Sequence, residues 1–145
     1  MAATKPLLPP TITNILAMAA PACGDGEYTR DEITYVLQTA FTGFSAARHA
    51  SVRLAGTRSR TVVHTGFWGC GAFGGNRILM TILQALASDL ANVDVVFWTF
   101  DRAGLQIAED AREFYARLRK TTPSVSQVRD ELARQKFQWG VSDGN

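Results

Sequence analysis

Five glycines fall within ten residues near the middle of the chain: Gly66, Gly69, Gly71, Gly74 and Gly75. Immediately before them, Thr61-Val62-Val63-His64 reads as a buried β-strand. Immediately after, from Asn76, the residues Ile78, Leu79, Ile82, Leu83, Leu86 and Leu90 fall on one face of a helix. Val93 to Phe100 (VDVVFWTF) then supplies a second strand, and Ala103 to Arg119 a second helix. Strand, glycine loop, helix, strand and helix in that order form a βαβ unit, with parallel strands joined by a right-handed crossover. The fold class is therefore α/β.

Upstream, Thr29-Arg30-Asp31-Glu32 has capping-box spacing, and Ile33, Val36, Leu37, Ala40 and Phe41 follow at helical period. The spacing predicts a helix over Arg30 to Phe41, ended by Gly43. Residues 45–60 read as a basic loop, with a doubtful short strand at Ser51 to Leu54. A short helix is expected from Thr11 to about Ala20, and a last one from Pro123 to Arg134 capped by Thr122. The tail from Gly140 to Asn145 is expected to fray, while Phe137 and Trp139 either dock on the body or meet a partner. Two strands and a doubtful third are fewer than the ~5–6 of an ordinary sheet. The expectation is one domain over residues 1–145, incomplete on its N-terminal side.

Composition narrows the function classes. Hydrophobic residues make up 46% and charged residues 19%, which is globular rather than disordered usage. The net charge of +2 is too small to argue for a nucleic-acid partner. Cys23 and Cys70 form neither a disulfide framework nor a zinc pattern, so no metal and no cofactor is expected. No run approaches the ~18 apolar residues of a membrane span, so no membrane partner is expected either. Lys5 followed by Ile15 to Ala20 imitates a secretory signal weakly, with Pro6, Pro9 and Pro10 interrupting its approach. An intracellular protein, cytoplasmic or nuclear, is the simpler reading.

The glycine loop carries the chemistry. Glycine lets backbone approach a ligand closely, and the following helix turns unpaired N–H groups and its positive dipole end towards the loop. That combination suits a phosphate or diphosphate. No acidic residue lies between Glu32 and Asp89, whereas Arg48, Arg53, Arg58, Arg60 and Arg77 do. A plain strand-to-helix turn is the bland alternative, although one or two glycines would serve it. Gly69-x-Gly71-x-x-Gly74 also fits the dinucleotide fingerprint with Asp101 as ribose acceptor. Against that stand the bulky Phe67-Trp68 pair and an Asp101 farther along than the usual ~20 residues.

The whole string is more specific. Thr65-Gly66-Phe67-Trp68-Gly69-Cys70-Gly71-Ala72-Phe73-Gly74-Gly75 strongly resembles the diphosphate loop of the poly(ADP-ribose) glycohydrolases, TGNWGCGAFGG. Leu79 and Gln84 echo the pattern of the helix that follows in that family. Val95 to Phe100 resembles its next strand, and Ala40-Phe41-Thr42-Gly43-Phe44 its Ala-Tyr-Cys-Gly-Phe segment. The resemblance spans about Ile33 to Leu132. It implies the C-terminal half of a macrodomain-like three-layer fold that binds ADP-ribose or poly(ADP-ribose). The implied ligand-binding residues are Gly66 through Gly75 together with Phe100. Gly69 to Gly74 would wrap the diphosphate, Phe73 would pack on the distal ribose side and Phe100 against the adenine. Read without the family, Phe100 is ordinary core. Cys70 would act through its backbone and small size.

The departures matter as much. Phe67 stands where the family has Asn, and Asn76 where an acidic residue is common. The family's catalytic segment, a triple glycine followed by Gln-Glu-Glu, is absent from these 145 residues. Hydrolysis of a ribose–ribose bond needs a carboxylic acid and a stabilised oxocarbenium-like centre. Glu32 is explained by its capping box, Asp89 by solvent, and Asp101 by contact with an adenosine hydroxyl. Glu27 is the one loose carboxylate to test. His64 reads as a hydrogen-bonded core residue and His49 as solvated. No catalytic residue is therefore assigned. The chain is either part of a glycohydrolase whose carboxylates come from a missing N-terminal half or a second chain, or an inactive relative that binds ADP-ribose. A Rossmann-type nucleotide binder is the remaining alternative.

Overall fold

The computed structural model describes residues 13–21 and 23–143. In chain order it contains α1 (Arg30–Ala55), β1 (Val62–Thr65), α2 (Arg77–Ala91), β2 (Asp94–Phe97), α3 (Arg102–Thr121) and α4 (Val125–Arg134). The strands pair in parallel with Val62 opposite Asp94 and Thr65 opposite Phe97, and α2 is the crossover between them. The expected order of strand, glycine loop, helix, strand and helix is present.

Helix α2 forms the centre. Leu79, Met80, Ile82, Leu83, Leu86 and Ala87 are fully buried, and α2 packs between α1 and α3. Burying a side chain of this size stabilises the fold by about 1.5–3 kcal/mol, so this helix carries much of the core. It starts at Asn76, whose Oδ1 accepts from the Leu79 N–H at 3.1 Å. It ends at Asn92 in a left-handed conformation.

Helix α1 is longer than its apolar pattern predicts. Its start is as expected: Thr29 and Glu32 form a reciprocal capping box. Gly43, however, does not stop it. Gly43 is buried mid-helix, where a Cβ would collide with the Met18 thioether. The cost of an interior glycine, about 0.5–1 kcal/mol, is offset by that packing. The alanine-rich stretch beyond it sustains the helix, so residues 45–55 are neither a loop nor a strand. Gly56, at φ +86°, ends α1 instead.

Three further expectations give way. Residues 13–20 form no helix; from Ile15 to Ala20 exposure alternates residue by residue and turns Leu16 and Met18 inward, an extended-chain period; Thr11 and Ile12 lie outside the described residues. The last helix is capped by Ser124, not Thr122, through a Ser-x-x-Gln box with Gln127. The tail does not fray at Gly140. Tyr28 donates to the Phe137 carbonyl at 2.8 Å, Trp139 to the Gly26 carbonyl at 2.9 Å, and the chain stays docked through Asp143. Trp139 stacks on Tyr28 with centroids 4.1 Å apart, and Phe137 meets Phe114 edge-on. Among the described residues, no helix is long and apolar enough to cross a membrane.

One face of the sheet is bare. Val63, Thr65, Val95 and Phe97 turn towards the helices. Val62, His64, Val96 and Trp98 turn outward, and Trp98 is 63% exposed.

Candidate functional site

The glycine loop begins where β1 ends. Gln84, fully buried on α2, fixes its root: Thr65 Oγ1 donates to Gln84 Oε1 at 2.6 Å, and Gln84 Nε2 donates to the Gly66 carbonyl at 3.0 Å. One buried amide thus satisfies the last strand residue and the first loop residue together, leaving neither orphaned.

The loop then folds through its own backbone. Cys70 N–H bonds the Phe67 carbonyl at 3.0 Å, Gly74 N–H the Gly71 carbonyl at 2.9 Å, and Gly75 N–H the Gly69 carbonyl at 2.8 Å. Three positions need glycine for this path, the first being Gly69 at φ +75°, in the left-handed region. Gly74 lies at φ +62°, in the left-handed region, and a Cβ there would stand 2.7 Å from the Gly140 carbonyl oxygen. At Gly75 a Cβ would stand 2.6 Å from the Gly69 carbonyl oxygen. Gly71 is different, since the atoms nearest a Cβ there are those of the Asp143 carboxylate, the first at 3.3 Å, rather than backbone.

Trans peptide geometry orients what is left. The C=O of one residue and the N–H of the next point in opposite directions. The Gly71 carbonyl accepts from Gly74 and, at 3.4 Å, from Asp143 N–H. The Ala72 carbonyl accepts from Ser142 Oγ at 2.6 Å and from the Cys23 thiol at 3.6 Å. The N–H groups of Ala72 and Phe73 therefore point away from the tail, and among the described residues neither meets an acceptor. Two successive free amides of this kind make a concavity suited to an anion.

The side chains divide by environment. Burial pushes the Cys70 thiol up to about 12, with nearby Arg77 opposing the shift, so this thiol stays protonated at neutral pH. Phe67 packs edge-on against Phe97, with centroids 5.2 Å apart, and the Arg77 guanidinium sits 5.2 Å over its ring. Trp68 packs against the core. Phe73 is 41% exposed at the rim, and Phe100 is fully exposed rather than core. Tyr28, its phenol pushed up to about 12 by burial, accepts the Asn76 N–H at 3.1 Å and so ties the loop's end to the chain before α1. Tyr28, Gly140 and Ser142 were not legible as loop partners from spacing alone. Their one sequence signal is the Phe137/Trp139 alternation after α4, which marks a docked segment.

The carboxylates considered from sequence are otherwise engaged. Glu32 belongs to the capping box, and Glu27 pairs with Lys136 at 3.4 Å. Asp89 is not simply solvated but accepts from Tyr115 Oη at 2.5 Å. Asp101 caps α3 at the exposed start of that helix, its Oδ1 accepting the Gly104 N–H at 2.7 Å. His64 is exposed rather than core, although its Nδ1 accepts from the Trp98 indole at 3.0 Å. Of the loop-region arginines, Arg60 pairs with Asp94 and Arg48 donates to the Ser59 carbonyl; Arg77 is the cation observed beside the loop, and the Asp143 carboxylate lies on its tail side by Gly71. Among the described residues, no cluster of three or more metal-ligating side chains occurs.

Comparison with known proteins bears on this loop directly. Residues 9–107, which include it whole, match the profile of a family described as poly(ADP-ribose) glycohydrolase, macro domain fold. One curated relative, poly(ADP-ribose) glycohydrolase 2 of Caenorhabditis elegans, is 26% identical over 106 residues, 73% of this chain. The aligned stretch spans about a fifth, 20%, of that relative's length.

Proposed function

This chain belongs to the poly(ADP-ribose) glycohydrolase family and has its macro domain fold, and from that premise we propose that the glycine loop binds the diphosphate of ADP-ribose. The observation that carries the reading is the pair of acceptor-free amides at Ala72 and Phe73, held on one side of a self-bonded loop. Arg77, positioned over Phe67, adds a cation where the family's Asn would have offered a polar contact. The exposed Phe73 ring lies against the distal ribose, and the exposed Phe100 ring stacks on the adenine. Cys70 contributes its backbone and small size, because its thiol is held neutral.

Hydrolysis of poly(ADP-ribose) needs more than these residues. Acid catalysis at a glycosidic bond requires a carboxyl group free to protonate the leaving oxygen. Glu32, Asp89 and Asp101 each accept a structural hydrogen bond, and Glu27 lies in an exposed ion pair with Lys136 away from the loop amides. In this reading the chain supplies the ligand loop, and the carboxylates come from a further segment or a second chain. The bare sheet face supports the same division. All-parallel sheets are almost always covered on both faces, and about four to six strands is the commonest size, so additional strands and helices would complete the fold across Val62, Val96 and Trp98. An inactive relative that binds ADP-ribose without cleaving it shares every element but the last.

Calorimetric titration of the chain with ADP-ribose tests the reading, with NAD as competitor ligand. A Kd of roughly 1–100 μM for ADP-ribose is expected, with weaker binding of NAD and loss of binding in Gly71→Val. Saturation by NAD alone would return the loop to the Rossmann-type reading. Absence of binding to either would remove the diphosphate assignment.

A further inference from the structure

We propose that the C-terminal segment Gly140 to Asp143 is a positioning strap for the glycine loop, with Ser142 as its principal side chain. The inference rests on the diphosphate reading for its purpose, though the strap itself is a matter of geometry. It also lies outside the stretch that the family profile covers, which stops at residue 107.

Three contacts define the strap. Gly140 N–H donates to the Gly74 carbonyl at 2.7 Å, Ser142 Oγ to the Ala72 carbonyl at 2.6 Å, and Asp143 N–H to the Gly71 carbonyl at 3.4 Å. All three use carbonyls of the loop and none uses its free amides. Because each peptide is trans, fixing the carbonyls of Gly71 and Ala72 on the tail side fixes the amides of Ala72 and Phe73 on the other. Within the loop the Gly71 carbonyl already has the Gly74 N–H at 2.9 Å, whereas the Ala72 carbonyl otherwise meets only the Cys23 thiol at 3.6 Å among the described residues, so Ser142 supplies its short bond.

The strap is itself anchored. Trp139 is buried and stacks on Tyr28, and Asn76 Nδ2 donates to the Gln138 carbonyl at 3.0 Å. Gly24 leaves the space that the indole fills, since a Cβ there would collide with its ring. From this anchor the chain has four residues in which to reach Asp143 along the loop. Asn76 serves both ends of the device: its Oδ1 caps α2 while its Nδ2 holds the tail, a pairing that an acidic residue could not make because it lacks the donor.

The opposite arrangement, a tail that plugs the anion site, predicts opposite signs. A plug would occupy the amides and its removal would raise affinity. A strap occupies the carbonyls and its removal lowers affinity, because the competent loop orientation is then only a fraction of the ensemble.

The test uses the full chain, Ser142→Ala, Ser142→Thr and a chain ending at Trp139, which keeps the anchor. Amide exchange without ligand is read at Gly74 and Gly75, and ADP-ribose affinity is read separately. The expected result is a fall in protection at both glycines of about tenfold or more in the shortened chain, with α2 protection unchanged. Affinity for ADP-ribose falls by about tenfold or more alongside, Ser142→Ala shows a smaller loss, and Ser142→Thr restores it. Unchanged protection of Gly74 and Gly75, or a gain in affinity on shortening, would overturn the strap. If the full chain fails to bind ADP-ribose while protection still depends on the tail, the strap stands and the diphosphate reading falls.

Discussion

The two strands of the small sheet end side by side and are finished very differently. At the C-terminal end of β1, the loop is held from all sides by its own chain: Gln84 from the helix, Tyr28 from before α1, and Ser142 from the tail. On the outer face, a few residues away, Trp98 is 63% and Phe100 107% exposed, and nothing in the described residues covers them. A polar loop is therefore overdetermined while an apolar face is left open. On the proposed reading, the difference teaches that the loop backbone is held by this chain's own contacts while the exposed rings beside it wait for the ligand or further chain to cover them.

The comparison can be broken first at the loop. Gly75→Val should have the largest effect, destabilising the protein by about 2–4 kcal/mol, because its Cβ would stand 2.6 Å from backbone oxygen that cannot move aside. Urea unfolding measures this, and a loss below 1 kcal/mol would show that the loop is not held as described. Gly71→Val is the contrast. Its nearest neighbour is the end of the Asp143 side chain, which can move aside, so its midpoint should stay near wild type while ADP-ribose binding is lost.

Gln84→Leu comes next. Removing the amide orphans the Thr65 hydroxyl and leaves the Gly66 carbonyl with the Trp68 N–H alone, at a cost of about 1–3 kcal/mol, while circular dichroism keeps its helical signal. A neutral effect would show that the root of the loop is fixed by β1 alone.

Alkaline pH separates the two regions without mutation. Cys70 and Tyr28, both at the loop, are raised to about 12 from 9.0 and 10.0. Their protons are retained in the folded state while the unfolded chain loses them, so the stability they contribute is complete below pH 9 and is lost as pH rises towards 12. The slope is about 1.4 kcal/mol per pH unit for each proton. Cys70→Ala and Tyr28→Phe should each flatten the pH dependence of the urea midpoint over that window. In the same chemistry, iodoacetamide at pH 8 should modify exposed Cys23 well before Cys70.

The smallest effect belongs to the open face. Phe100→Ser should change stability by less than about 0.5 kcal/mol, since the ring touches water on all sides. It should weaken ADP-ribose binding but leave inorganic diphosphate binding unchanged. A large loss of stability would mean that the face is not open.

Much of this was legible in the chain. The glycine string, the strand before it and the apolar face of α2 suffice for the βαβ unit, because periodicity reports what is buried. The length of α1 was not, since Gly43 reads as a stop until Met18 is seen to fill the space above it. The tail was equally hidden. Its hold on the loop runs through backbone atoms of Gly71, Ala72 and Gly74, which carry no side-chain signature. Asp101 illustrates the converse: the sequence places it where ligands gather, and the structure commits it to a helix cap.

The central claim is that the free amides of Ala72 and Phe73 receive the diphosphate. The most direct measurement is the change in backbone amide chemical shifts as ADP-ribose is added to the ¹⁵N-labelled chain. The account predicts that Ala72 and Phe73 shift most, followed by Gly71 and Gly69, and that inorganic diphosphate moves the same amides. Saturable binding that shifts residues of the bare sheet face and leaves residues 69–75 in place would contradict it.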